Sequence, residues 1–296
     1  KYFEEFGCVI GDEAHLFKSK SLTTIMTKLI SCKYRFGMTG TLDGTQTHRL
    51  VLEGLFGKIY KVTTTAKLID RKQLASFRID IIVLKYPDDV CHQFRKIKYA
   101  DELEYIVTHE KRNKYIRNLC ANLNGNSLCL FQYVEKHGKQ LYEDIKLKAP
   151  DKQVFYVHGG VDTDEREKSL ERFIKGDTDI LIASRTIGTG VDGLQDVCNR
   201  MIIMTLPWTD SEYTQLKGRI YRQGSEFGDV EIIIPQVHVQ LDNNIKWSWD
   251  KQRLQLIRDK RTLADAAVDG IIPSKNLPTR EKLCQDSLKA LRDSAA

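Results

Sequence analysis

No stretch of the 296 residues is apolar for long enough to cross a bilayer. Runs such as Met201-Ile202-Ile203-Met204 and Ile232-Ile233-Ile234 are strand length, far below the roughly 18 residues a spanning helix needs. Cysteines at metal-ligand spacing are missing too. The seven, at 8, 32, 91, 120, 129, 198 and 284, never come closer than nine positions. Without a CxxC pair, an odd and scattered set reads as free thiols of a reducing compartment, not as a disulfide scaffold or zinc site. There is no internal repeat and no low-complexity tract. A strong excess of one charge is absent: 46 Lys and Arg against 40 Asp and Glu leave +6, which permits an anionic partner without specifying one. Neither an initiator Met nor a signal peptide opens the sequence, and an apolar strand starts within ten residues of Lys1. The expectation is a chain entered partway through a domain.

What is present is ordinary globular text, 41% hydrophobic and 29% charged, with enough apolar surface for two cores. Short apolar strands are expected at 6–10, 34–38, 77–84, 127–131, 153–157, 180–183, 200–204 and 230–234. Amphipathic helices are expected at 21–29, 111–123, 136–147, 163–174 and 212–220. Alternating strands and helices predict an α/β fold with parallel sheets flanked by helices. Around 86–110 the pattern breaks into polar, charged text. This places a first domain at 1–90, a linker at 91–110, a second domain at 111–236 and a helical, basic extension at 237–296.

Three constellations carry chemistry. In Val9-Ile10-Gly11-Asp12-Glu13-Ala14-His15 an apolar strand ends in Asp-Glu-x-His. Open α/β sheets bind ligands at the carboxyl ends of their strands. Two adjacent carboxylates there suit nucleotide hydrolysis, one holding magnesium through water and the other orienting the attacking water. The next strand ends in Phe36-Gly37-Met38-Thr39-Gly40-Thr41, whose small hydroxyl residues can bond His15 or the acidic pair. In the second half stand Ala183-Ser184-Arg185-Thr186-Ile187-Gly188-Thr189-Gly190-Val191-Asp192 and Gln215-Leu216-Lys217-Gly218-Arg219-Ile220-Tyr221-Arg222. On a helix, Arg219 and Arg222 would share a face and form a planar cationic clamp for a triphosphate.

In order and spacing these segments resemble motifs II, III, V and VI of superfamily-two helicases and translocases. Val9 to His15, Arg35 to Leu42, Phe56-Gly57-Lys58-Ile59 and Lys111-Arg112-Asn113-Lys114 are similar to phage recombination helicases. Leu206-Pro207-Trp208-Thr209, Arg219 to Gln223 and Ala267-Val268-Asp269-Gly270-Ile271-Ile272-Pro273 resemble Swi/Snf-type translocases. The resemblance implies two RecA-like lobes with ATP between them, the first truncated at its N-terminus, plus a helical C-terminal extension.

By the same resemblance Asp12 holds Mg2+ through water, Glu13 orients water, and His15 with Thr39, Gly40 and Thr41 couples hydrolysis to motion. Gln215, Arg219 and Arg222 meet the phosphates from the second lobe, with Gly190 and Asp192 beside them. The nucleic-acid backbone is expected at Thr39, Phe131, Gln132, His158, Gly159, Ser184 and Thr186. Basic stretches at Lys111, Arg112, Lys114 and Arg117, and at Lys251, Arg253, Arg258, Lys260 and Arg261, are further candidates for phosphate contact. The implied function is an ATP-dependent DNA helicase of the DEAH-box type, acting on branched or recombining DNA in recombination and repair. It is expected to work as a monomer in the cytoplasm, the host's if phage-encoded, with no membrane; RNA–DNA hybrids are a second substrate class. Two alternatives stand: a double-strand DNA translocase that does not separate strands, and a non-catalytic nucleic-acid-binding module. The second draws on a missing piece, since no Gly-x-x-x-x-Gly-Lys-[Ser/Thr] loop occurs anywhere. The chain alone is therefore expected to be a poor ATPase.

Overall fold

The computed structural model describes residues 2–40, 46–63, 65–85, 98–185, 193–240, 246–247 and 253–258. Two parallel sheets result. In the smaller, β1 (Cys8–Gly11) pairs with β2 (Tyr34–Gly37), setting Ile10 opposite Phe36 and Gly11 opposite Gly37. Helices Lys20–Lys28 and Gln46–Phe56 accompany it, and Met26, Leu29, Cys32 and Leu55 form its small core.

The larger sheet is built from β3 (Ser76–Lys85), β4 (Asn126–Phe131), β5 (Val154–Val157), β6 (Ile180–Ser184), β7 (Cys198–Ile203) and β8 (Asp229–Gln240). Its order is β3-β8-β7-β4-β6-β5, every neighbouring pair parallel, and β9 (Lys246–Trp247) adds antiparallel to β8. Every residue of β4 and β6 is buried, as a parallel sheet covered on both faces requires. Alternate side chains enter opposite cores. Leu128, Leu130, Leu181, Ala183, Met201 and Ile203 face one, closed by Leu170, Phe173, Tyr213 and Leu216 from helices Thr163–Lys175 and Asp210–Lys217. Cys129, Phe131, Ile180, Ile182 and Ile202 face the other, closed by Ile116, Leu141 and Ile145 from helices Glu110–Asn122 and Gln140–Lys148. Each such side chain contributes about 1.5–3 kcal/mol on burial. Among the described residues no helix is long and apolar enough to cross a membrane.

The expected α/β class and its eight strands are present, but the expected domain boundary is not where the sheets divide. β3, assigned to the first lobe, pairs with β8 over its whole length, from Ser76 opposite Asp229 to Lys85 opposite His238. Glu231 on β8 locks that register, accepting from Arg78 on β3 (2.5 Å) and from Arg200 on β7 (3.0 Å). The stretch 91–110, expected as a linker, includes the helix Tyr99–Thr108, whose Leu103, Ile106 and Val107 are buried. Its acidic residues sit among apolar ones at helical spacing, which the charge count alone concealed. The strand rhythm also continues past 236, because β8 runs to Gln240 and β9 folds back on it.

Helix 136–147 is expected as one piece, yet it begins with a π-helical turn, Val134–Lys139, in which Gly138 N–H donates to Tyr133 O at 2.9 Å. Phe131 forces this. A Cβ on Gly138 would stand 2.7 Å from the Phe131 ring, so the chain passes close only because it has none. The turn carries His137 into the core, where both its ring nitrogens are buried without a hydrogen-bond partner among the described residues.

Burial, reinforced by the charges of Arg112 and Arg185, pushes the His137 imidazole down to about 3 from 6.5. Between those values the unfolded chain binds a proton that the folded chain refuses, so stability rises with pH there and falls on acidification. On going from about pH 7.5 to about pH 5, the free energy of unfolding in urea should fall by about 2 kcal/mol more for wild type than for His137→Leu. Parallel pH profiles would place the imidazole in contact with water.

Candidate functional site

The smaller sheet ends in the acidic pair. Parallel pairing brings the tips of β1 and β2 side by side, and the bonds continue past them: Met38 N–H donates to Gly11 O and Ala14 N–H to Met38 O, both at 2.8 Å. Asp12 is exposed, and its Oδ1 accepts Glu13 N–H at 2.8 Å. Glu13 itself is held in the left-handed region, φ 47° and ψ 49°. That costs a non-glycine residue about 1–3 kcal/mol and persists where surrounding bonds over-determine it. His15, largely buried, places Nδ1 2.9 Å from Thr39 Oγ1 and 3.2 Å from Glu13 Oε2. The sequence expectation that Thr39 and His15 would meet is met in this bond. Gly40 is exposed beyond it; Thr41 lies outside the described residues.

Two glycines make this arrangement possible. A Cβ on Gly11 would fall 2.9 Å from both the Phe17 and Phe56 rings, and one on Gly37 would fall 2.9 Å from Phe56. The two rings meet edge to face, 5.1 Å between centroids. Phe56, at the end of helix Gln46–Phe56, thus presses directly on both strand tips. No residue role was expected for it. Its position at the end of an apolar helical stretch just before Gly57, where φ is +93°, is the available signal.

The arginine-bearing segment departs from expectation. The helix ends at Lys217, not at 220. Its start is a capping box: Thr209 Oγ1 accepts Glu212 N–H at 3.1 Å, and the Glu212 carboxylate lies 3.3 Å from Trp208 N. Beyond Gly218 the chain winds more tightly, Arg219 N–H reaching Leu216 O at 3.1 Å and Ile220 N–H reaching Lys217 O at 3.2 Å. Arg219 and Arg222 therefore sit on a turn after the helix, Arg219 half-buried and Arg222 exposed, with Ile220 wholly buried between them. Gln215 lies on the helix, half-buried. Lys217 is buried with its ammonium 4.6 Å from the Tyr213 ring centroid and 5.7 Å from that of Phe77, tying the helix to β3.

The nucleic-acid candidates that follow β4, β5 and β6 meet at one edge. Phe131 and Ser184 are register partners on β4 and β6, and Val157, just before His158, pairs with Ala183. Gln132, Ser184, His158 and Gly159 thus line the carboxyl rim of three adjacent strands. His158 is half-exposed, its Nδ1 accepting Gly160 N–H at 3.1 Å, and Gly159 is exposed. Phe131 must be corrected: it is 0% exposed and packs against Tyr156 and Gly138, so it supports the rim from below and touches no ligand. Thr186, Gly190 and Asp192 fall outside the described residues.

Two basic candidates are also corrected. Arg112 is 2% exposed and donates to Met204 O at 2.5 Å, inside the core. Arg253 is 2% exposed, donates Nη1 to Leu206 O at 2.5 Å and stacks 4.4 Å from the Trp208 ring centroid. Both long side chains are drawn in because the carbonyls that follow β7 lack a strand partner there. Lys111, Lys114 and Arg258 remain exposed, while Lys251, Lys260 and Arg261 lie outside the described residues.

Magnesium suits this donor set in one way only. Among the described residues no group of three or more His, Cys, Asp or Glu could cage a metal. Magnesium keeps most of its waters and takes one or two carboxylates plus phosphate oxygens, and the exposed Asp12 at a strand tip supplies one such carboxylate.

Residues 110–224 match the family described as helicase conserved C-terminal domain. The ATP-dependent DNA helicase uvsW of Enterobacteria phage T4 is 34% identical over 195 residues, covering 64% of this chain and 38% of that protein. The DNA 3'-5' translocase XPB2 of Sulfurisphaera tokodaii is 25% identical over 253 residues, 74% of this chain and 56% of that one. The crystal structure of T4 UvsW superposes with a TM-score of 0.53 at 22% identity, covering 89% of this chain and 53% of the other. The chain thus spans 38% and 56% of the lengths of these two relatives. By its larger sheet the chain has the RecA-like fold of the superposed helicase, and residues 110–224 carry a helicase conserved C-terminal domain.

Proposed function

We propose that the chain is the part of an ATP-dependent DNA helicase or translocase that carries motif II, motif III and the whole second lobe. The observation that carries this is the domain match over 110–224 together with the bonded set Glu13, His15 and Thr39 at the tips of β1 and β2. Asp12 would hold Mg2+ through water, and the ion would supply charge neutralisation on the phosphates. Glu13 orients the attacking water and accepts its proton. His15, bonded to both Glu13 and Thr39, carries the state of the carboxylate to the second strand; Gly40 and Thr41 extend that connection. Gln215, Arg219 and Arg222 face the phosphates from the second sheet, with Gly190 and Asp192 beside them. Arg222, exposed at the end of its turn, approaches charge developing on the transferring phosphoryl group.

Gln132, His158, Gly159, Ser184 and Thr186 follow one strand of DNA by its backbone. The relatives named a DNA helicase and a DNA translocase support DNA over RNA. Branched or recombining DNA is the substrate class implied by the phage likeness, and the cytoplasm the compartment. A second reading, a double-strand DNA translocase that does not separate strands, draws on the relative named a DNA 3'-5' translocase only for movement along DNA. The absence of a Gly-x-x-x-x-Gly-Lys-[Ser/Thr] loop favours a non-catalytic binding module for these 296 residues taken alone.

The test uses the longest gene product that contains these residues. Glu13→Gln should retain ATP binding and lose about a hundredfold or more in hydrolysis, because the amide keeps the shape and loses the base. Near-normal turnover removes Glu13 from that role. Wild-type protein that binds DNA without hydrolysing ATP leaves the binding module.

Arg222→Ala should lower kcat by about a thousandfold while ATP affinity falls much less. Arg222→Lys should rescue little, since a point charge lacks the planar fork. Nucleotide-free DNA binding, read by fluorescence anisotropy, should survive both changes. Normal hydrolysis with lost DNA affinity would move Arg222 to the nucleic-acid face.

A further inference from the structure

The last described segment, residues 253–258, is a single helical stretch whose Leu254 and Ile257 enter the same apolar cluster as Leu206, Tyr213, Leu216 and Ile220. Its first residue behaves differently from its neighbours. Arg253 donates Nη1 to Leu206 O at 2.5 Å and lays its guanidinium on the Trp208 ring, 4.4 Å from the centroid. Leu206 and Trp208 lie in the loop that leaves β7 and leads into the helix Asp210–Lys217. Trp208 N–H in turn faces the Glu212 carboxylate at 3.3 Å, and Glu212 completes the cap with Thr209. One buried guanidinium therefore fixes a carbonyl and a ring in the loop from which the helix bearing Gln215 begins.

The far end of that helix is fixed as well, by Lys217 between Tyr213 and Phe77 and by the buried Ile220. Held at both ends, it can deliver Arg219 and Arg222 only to one place. Apolar burial alone would be served better by a leucine or methionine, since a buried charge is costly unless its donors and its face are used. What the arginine adds is direction: a planar fork that donates to one carbonyl and lies on one ring in a single geometry.

The geometry points to Arg253 as a positioning residue for Gln215, Arg219 and Arg222, through which the segment after β9 governs ATP hydrolysis in cis. This rests on the reading that places those three residues against the nucleotide. Arg253 is buried, with its guanidinium spent on Leu206 O and the Trp208 ring. It acts through Leu206 and Trp208, and displacement of the segment by a bound partner would slacken the motif.

The test compares Arg253→Met, Arg253→Lys and Ile257→Ala in the longest gene product containing these residues. Readouts are kcat and KM for ATP, nucleotide-free DNA binding, thermal midpoint, and amide hydrogen exchange over 206–222. Arg253→Met should keep a near-normal midpoint and KM, lower kcat by about tenfold, and speed exchange through 209–222. That loss is below the roughly hundredfold that a misplacement of about an ångström can cost. Arg253→Lys should recover part of both changes. Ile257→Ala should lower the midpoint and leave kcat near normal below it. Should kcat follow the midpoint equally in all three, or Arg253→Met leave kcat and exchange untouched, Arg253 is packing only and the proposal is overturned. Weaker DNA binding with a flatter salt dependence and normal kcat would instead assign it to phosphate contact. If wild type hydrolyses no ATP, the nucleotide reading fails by itself, and exchange over 209–222 still decides whether Arg253 holds the helix.

Discussion

Parallel pairing is the constraint on which the site depends. A parallel ladder makes all its strands end at the same edge, where the next backbone groups have no strand to bond. That edge is therefore filled by turns, helix starts and side chains. In the larger sheet the register partners Phe131 and Ser184 finish together, so segments 53 residues apart in the chain open onto one rim. In the smaller sheet Gly11 and Gly37 finish together, and the segment that follows the acidic pair brings His15 to Thr39. Neither juxtaposition needs a long-range force of its own. Both follow from register, and register follows from which apolar residues must face which core.

Close approach at those edges is controlled by rings against glycines. Phe56 occupies the space that side chains at Gly11 and Gly37 would take, and Phe131 occupies the space above Gly138. In the first case the packed strand tips lead into the left-handed backbone of Glu13 and the contact between His15 and Thr39. In the second it turns a helix start into a π-helical turn and draws a neutral histidine between two arginines. Close packing of this kind transmits position, because a gap of half an ångström already forfeits much of the contact energy.

Much of this was legible from the residues. The strands announced themselves by short apolar runs, and the motif order placed Asp12, Glu13, His15, Thr39 and the Gln215–Arg222 segment at strand ends. Charge was read less well. Arg112 and Arg253 look like phosphate-gripping surface in a basic stretch, yet both go inward to carbonyls, because the aliphatic part of an arginine packs as an apolar side chain and its fork then satisfies backbone acceptors. The domain boundary failed for a related reason. A polar stretch suggested a linker, but an edge strand joins whichever sheet offers an unpaired neighbour. β8, with Glu231 set between Arg78 and Arg200, offered β3 the longer ladder. The extent of helix 210–217 was misjudged because helical spacing continues to Arg222 in the sequence, whereas the burial of Ile220 is a property of the assembled core.

The placement of β3 changes how the second sheet supports its arginines. Phe77 comes from a strand 140 residues before Lys217, and its ring meets Tyr221 at 4.9 Å between centroids while facing the Lys217 ammonium. The helix Asp210–Lys217 is consequently bounded on one side by sequence that precedes the second-lobe domain and on the other by sequence that follows it. A domain cut at 110 and 224, where the family match ends, would keep every motif residue of the second lobe and lose both braces. The arginines would be present, but the helix and turn that aim them would lean on solvent at each end. The functional unit is therefore larger than the matched domain, and its limits are set by what holds the helix, not by where the motifs stop.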